Sequence, residues 1–136
     1  MTYNGSCQCG AVKITADAEP AFAAHCHCLD CQKSSGAGHL TFAFFPQDSV
    51  SVTGELSEFT VAGDSGGSMT RSFCPTCGGR VIGRIGNLPG LVGVTLGILD
   101  ESDGIVPQAA VYAKRLRKWD TIPEGVQAFE EMPPQG

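Results

Sequence analysis

The chain has 136 residues, 42% hydrophobic and 17% charged, with a formal net charge of −5. That is the size of one ordinary domain (1–136), with enough apolar material for a core and too little charge for a disordered tail protein. The acidic balance argues against nucleic-acid binding through a general basic field. No apolar stretch approaches the ~20 residues of a membrane span. The start, Met1-Thr2-Tyr3-Asn4-Gly5, carries neither the basic nor the apolar run of a signal peptide, so the cytoplasm is the expected compartment.

Eighteen glycines and eight prolines predict many turns and short elements. In chain order, apolar and β-branched runs predict strands over 11–16, 22–26, 39–45, 57–62, 69–73, 80–85, 91–98 and 109–112. Val12 and Ile14 alternate with Lys13 and Thr15, the pattern of a half-buried strand. Gly93 and Gly97 inside the 91–98 run point to close backbone approach. One helical turn is expected after Cys28 and another over 46–49. Turns are expected at 64–68 and 86–90. The acidic, proline-containing end, 130–136, reads as frayed. The whole is all-β or β-rich.

Seven cysteines carry the strongest signal: Cys7 and Cys9 as C-x-C, Cys26, Cys28 and Cys31 as C-x-C-x-x-C, and Cys74 and Cys77 as C-x-x-C. An odd number leaves one thiol over in any disulfide framework, and a reducing compartment keeps such pairs open. Metal ligation accounts for them better. Zinc–sulfur bonds of ~2.3 Å in a tetrahedron place sulfurs roughly 3.8 Å apart. C-x-C on an extended segment offers two sulfurs to one face, and C-x-x-C does so across a tight turn. Gly10, Pro75, Gly78 and Gly79 supply the turn chemistry. Cys7, Cys9, Cys74 and Cys77 therefore form a four-ligand structural zinc site. A thioredoxin-like redox pair at 74–77 would sit in a βαβ pattern, and none surrounds it. Cys26, Cys28 and Cys31 supply only three ligands. Either the fourth position is open, as in catalytic sites, or His25, His27 or His39 closes it.

Three segments resemble the glutathione-dependent formaldehyde-activating enzyme family, which also includes centromere protein V: Gly5-Ser6-Cys7-Gln8-Cys9-Gly10-Ala11-Val12, His25-Cys26-His27-Cys28-Leu29-Asp30-Cys31-Gln32-Lys33-Ser34-Ser35-Gly36, and Phe73-Cys74-Pro75-Thr76-Cys77-Gly78. Val111-Tyr112 followed by Trp119-Asp120 adds to the likeness. Gln32 stands where the family usually has Arg. The resemblance implies a β-tent of packed sheets clipped by zinc, with two Zn²⁺ per chain. One would be structural, on Cys7, Cys9, Cys74 and Cys77, and one catalytic, on Cys26, Cys28 and Cys31.

Three thiolates on zinc make an electron-rich centre that acidifies water less than a three-histidine site does, and it suits holding a substrate thiol as thiolate. Together with the resemblance, this implies a carbon–sulfur lyase that condenses glutathione with formaldehyde, or a similar small electrophile, to S-hydroxymethylglutathione. The alternative is a non-catalytic two-zinc module for a protein or nucleic-acid partner, with the second site closed by histidine. Lys33, Ser34 and Ser35 are candidate carboxylate contacts or a solvated loop. The basic run from Lys114 to Lys118 is an anion patch or a solvated edge, and Trp119 is expected as a packing anchor.

Overall fold

The computed structural model describes residues 1–62 and 67–133. Strands β1 (Tyr3–Ser6), β2 (Lys13–Ala16) and β5 (Val50–Thr53) form a three-stranded antiparallel sheet in the order β1-β2-β5. The second sheet has eight strands: β3 (Phe22–Cys26), β4 (Leu40–Pro46), β6 (Ser57–Ala62), β7 (Ser68–Phe73), β8 (Arg80–Ile85), β9 (Leu91–Thr95), β10 (Ala109–Val111) and β11 (Gln127–Ala128). Their order is β11-β10-β3-β4-β9-β8-β7-β6. All its pairings are antiparallel except those of β10, which runs parallel to both β3 and β11. One α-helix, α1 (Leu29–Ser35), follows β3. The β-rich class is as expected.

Period-two alternation decides what each face buries. On β2, Ile14 and Ala16 point inward while Lys13 is exposed. On β4, Ala43 and Phe45 face the three-stranded sheet, where the Tyr3 and Phe45 rings meet at 5.7 Å. Val12, Ile14, Val81, Val92, Val94 and Leu99 complete this core between the sheets. Phe42 and Phe44, on the opposite face of β4, join Ala24, Val111 and Tyr112 in a second apolar cluster. Gly83 and Gly93 sit side by side on β8 and β9, and a Cβ on Gly93 would lie 3.0 Å from the Phe44 ring. Close approach is thus met at Gly93, by phenylalanine rings rather than backbone, whereas a Cβ on Gly97 would meet open space.

Several boundaries differ from expectation. The strand predicted over 11–16 begins at Lys13, because 7–10 is a turn closed by the Gly10 amide on the Cys7 carbonyl at 3.1 Å. The strand predicted over 91–98 ends at Thr95 and turns into a 3₁₀ segment, Leu96–Ile98. The turn after Cys28 extends to a seven-residue helix, since Gly36 closes it in the left-handed region with its amide on the Gln32 carbonyl. The helical turn near 46–49 appears as a 3₁₀ segment, Gln47–Ser49. Three short strands, β1, β5 and β11, were not anticipated. The 64–68 turn lies outside the described residues save Gly67 and Ser68.

The end is docked rather than frayed as far as it is described. The amides of Tyr112 and Ala113 bond the carbonyls of Glu131 and Phe129 at 3.3 and 2.9 Å, and Lys114 pairs with Glu131. Residues 134–136 lie outside the described part.

Candidate metal centres and the pocket between the sheet and the helix

Cys7 and Cys9 sit on the turn after β1, and Cys74 and Cys77 on the turn after β7. Their four sulfurs lie within 4.8 Å of one another. The Cys7–Cys9 and Cys9–Cys74 sulfur separations are both 3.7 Å, matching the roughly 3.8 Å edge of a tetrahedral zinc–thiolate site. Local backbone builds the cradle. Amides of Val12, Thr76 and Cys77 point at the sulfurs of Cys7 and Cys74 at 3.3–3.5 Å. The Gly78 amide closes the knuckle on the Cys74 carbonyl at 2.8 Å, with Gly78 at φ 77°. Hydrogen bonds donated by the backbone amides of Cys9 and Gly79 push the Cys77 thiol down to about 6. The Ala11 amide favours the thiolate of Cys9, but desolvation and three neighbouring thiols outweigh it and push Cys9 up to about 11. The cluster thus shares its protons unevenly, as crowded thiols do, and the donor set fits a closed metal site.

Cys26 ends β3, Cys28 caps α1, and Cys31 sits in the helix's first turn. The Cys31 amide donates to the Cys28 sulfur at 3.4 Å, which is the N-cap contact itself. The three sulfurs lie within 4.8 Å of one another. Cys28 and Cys31 are buried and Cys26 is 9% exposed. Donation from Cys26 and then Cys31 pushes Cys28 down to about 3, while the same contact with Cys28 pushes Cys26 up to about 12. Three convergent thiols with one already favoured as thiolate fit a metal ion with one position left over.

Among the described residues no histidine or carboxylate joins this trio. His27 and His39 gather instead with Asp120, and Nδ1 of His25 shares a hydrogen bond with the Thr41 hydroxyl at 2.8 Å. Burial, with the neighbouring histidines adding to it, lowers the pKa of His25 and His27.

A cavity of about 450 Å³ opens over Cys26 and Cys31. Its walls are mainly apolar, with Phe22, Phe42, Phe44, Met69, Ile85 and Leu88 among them, and Arg80 and Arg84 on the β8 side. Gly83 and Gly93 leave the floor open. Tyr112, on the opposite side, is the one non-glycine residue with positive φ among the described residues, at 56°. That conformation is unusual for a bulky side chain.

No motif in the chain announces how α1 is held. Asp30 pairs with Arg71 through one carboxylate oxygen and reaches Arg80 Nη1 at 4.0 Å through the other, and Arg80 also bonds the Ser34 hydroxyl. Gln32 donates to the carbonyls of His27 and Arg115 at 2.8 and 3.0 Å and accepts from Arg117 Nε at 2.8 Å. These partners come from distant strands and loops, so no local motif signals them. Ser34 and Ser35 both bond the Cys31 carbonyl, and neither they nor Lys33 lines the cavity. The basic run 114–118 also stands away from the cavity, with Lys114 on Glu131 and Arg117 on Gln32. Trp119, expected as a packing anchor, is 71% exposed. The loop that carries it is tied down by its neighbours, Arg117 and Asp120, leaving the indole in solvent.

The sequence model of the family described as "Glutathione-dependent formaldehyde-activating enzyme" matches residues 2–115. A Penicillium rubens protein described as a "putative glutathione-dependent formaldehyde-activating enzyme" is 29% identical over 123 residues, 87% of this chain. The match spans 64% of that relative's length. A crystal structure of a Rhodobacter sphaeroides protein is similar with a TM-score of 0.58 and 25% identity, covering 76% of this chain and 97% of that one.

Proposed function

The chain belongs to the glutathione-dependent formaldehyde-activating enzyme family, and from that premise we propose that it is a carbon–sulfur lyase of the S-(hydroxymethyl)glutathione synthase type. It condenses the glutathione thiolate with formaldehyde, or a similar small electrophile, beside Cys26, Cys28 and Cys31. The observation that carries this reading is the three-thiol cluster, two of whose members, Cys26 and Cys31, line a cavity, with no fourth protein ligand beside it among the described residues. A module closed by histidine is disfavoured, since His27 and His39 turn toward Asp120.

In this reading residues 1–136 act as one domain with two Zn²⁺. Cys7, Cys9, Cys74 and Cys77 hold the structural ion, and Cys26, Cys28 and Cys31 hold the catalytic one. Cysteines that serve as metal ligands have to stay reduced, which favours a reducing compartment, the cytoplasm. Zinc on three thiolates supplies a fourth position that keeps an incoming thiol ionised at neutral pH.

The chain's own residues do the rest. The capping amide of Cys31 fixes Cys28. The Asp30 pairs with Arg71 and Arg80 hold α1, and with it Cys31, against β7 and β8. The apolar walls exclude bulk water around the electrophile, which would otherwise hydrate. Sulfur then adds to the carbonyl carbon, a carbon–sulfur bond forms, the carbonyl π pair moves to oxygen, and the resulting alkoxide takes a proton. The products balance as one hemithioacetal per thiol and aldehyde.

Calorimetric titration of the zinc-loaded chain with glutathione and with S-methylglutathione tests this, in buffers of different ionisation enthalpy. Glutathione is expected to bind at least tenfold tighter and to release a proton below the free thiol range of roughly 8.5–9. Equal binding of the two without proton release would show that sulfur never reaches the metal, and the reading would fall.

A further inference from the structure

We propose that His27, His39 and Asp120 form a third metal site, separate from both cysteine clusters, that takes a divalent cation of the zinc class through two imidazole nitrogens and one carboxylate oxygen.

The three residues come from three places: His27 from the link between β3 and α1, His39 from the residue before β4, and Asp120 from the loop after β10. Their ligating atoms nonetheless lie within 4.8 Å of one another. Oδ2 of Asp120 stands 2.7 Å from Nδ1 of His39 and 3.6 Å from Nδ1 of His27. Metal–nitrogen and metal–oxygen bonds of ~2.0–2.2 Å in a tetrahedron place neighbouring ligand atoms roughly 3.3–3.6 Å apart. His27 is already at that spacing, and the part-exposed His39 ring has to draw back from the carboxylate by roughly 0.6–0.9 Å.

A second observation points to a ligand. The His27 side chain is 1% exposed, and its Nδ1 is buried without a hydrogen-bond partner. A buried imidazole nitrogen left without a partner loses its hydration and gains nothing in return. A hydrogen bond from His39 alone would satisfy the carboxylate and leave that nitrogen idle. A cation between the three uses it.

The surroundings agree. A Cβ on Gly38 would lie 2.3 Å from Oδ2 of Asp120, so the glycine makes room for the carboxylate. His39 is 30% exposed and Asp120 16%, which gives an ion a path from solvent and water a place to complete the shell. Two histidines and one carboxylate are a recurrent zinc donor set. On binding, the cation replaces the proton between His39 and Asp120, and the other ring nitrogen of His39 carries the hydrogen.

Equilibrium dialysis of the full chain against Co²⁺, with optical spectra, tests the site. Thiolate ligation gives intense sulfur-to-cobalt charge-transfer absorption, whereas imidazole and carboxylate ligation adds only weak ligand-field bands. The wild-type chain is expected to take up three equivalents, the third adding no charge-transfer intensity. His39→Ala and Asp120→Asn are each expected to take up two, with the thiolate absorption unchanged. Two equivalents in the wild-type chain overturn the proposal without recourse to any variant. Three equivalents retained in either variant also overturn it, as does loss of the thiolate absorption together with the third ion.

Discussion

At the scale of single residues, glycine positions separate backbone need from mere permissiveness. Gly5 lies on β1 against the 3₁₀ segment that follows β9, and a Cβ there would sit 2.1 Å from the Ile98 carbonyl oxygen. That oxygen belongs to backbone held by the Gly5–Leu99 bridge and by the Asp100 amide on the Asn4 carbonyl at 2.7 Å. It cannot swing away as a side chain would. Gly5→Ala is therefore expected to cost about 1–3 kcal/mol or more by overpacking. Gly97→Ala, where a Cβ meets open space at ordinary φ, is expected to be neutral or slightly stabilising. Urea midpoints of the two variants check this. Similar midpoints would mean that β1 and the 3₁₀ segment are not pressed together at Gly5.

At the scale of elements, the two cysteine clusters fall on different kinds of support. The four-thiol cluster joins the turn after β1, which belongs to the small sheet, to the turn after β7, in the large one. The three-thiol cluster sits on β3 and the helix that follows it. Cys74→Ser is expected to loosen the joint between sheets and lower the thermal midpoint by more than about 10 °C, the equivalent of a few kcal/mol in a domain of this size. Cys28→Ser is expected to lower it by only a few degrees while abolishing thiol binding. Equal falls would show that both clusters serve the fold.

The pairing of clusters was legible because C-x-C and C-x-x-C impose local geometry, and the strands with strong β-branched runs were legible for the same local reason. What escaped depends on distant partners. β5 and β11 are short and exist through pairing with β2 and β10. Asp30 gains its meaning from Arg71 and Arg80. Trp119 is hydrophobic by type, yet its loop is fixed by polar ties that leave no sheet face for it.

At the scale of the whole molecule, a metal ion held by these clusters would compete with protons for the same thiols. Without metal, crowding and burial hold Cys9 and Cys26 up to about 11 and about 12, and Cys31 well above its ordinary value. At neutral pH these groups carry protons that a metal ion must displace. The sign follows: stability supplied by bound metal is present at higher pH and is lost as pH falls. Chelator titration at pH 8.5 and 6.5, corrected for the chelator's own protonation, is expected to strip the protein at lower free chelator at pH 6.5, with the thermal midpoint falling in step. A midpoint indifferent to chelator at both pH values would show that thiolate-bound metal contributes nothing to the fold.

The parallel pairing of β3 with β10 brings Ala24 beside Ala109. The two residues lie far apart in the chain, with strands β4 to β9 between them. Loop-closure entropy is spent before such contacts return anything, and topologies built on distant pairings fold slowly. During that interval the cysteines at 7, 9, 26, 28, 31, 74 and 77 stand as solvent-facing thiols on an open chain. The hazard for this protein therefore lies in its youth: an oxidant that meets the chain before the strands close can couple neighbouring sulfurs, and the finished molecule, with five of those seven buried, offers far less to attack.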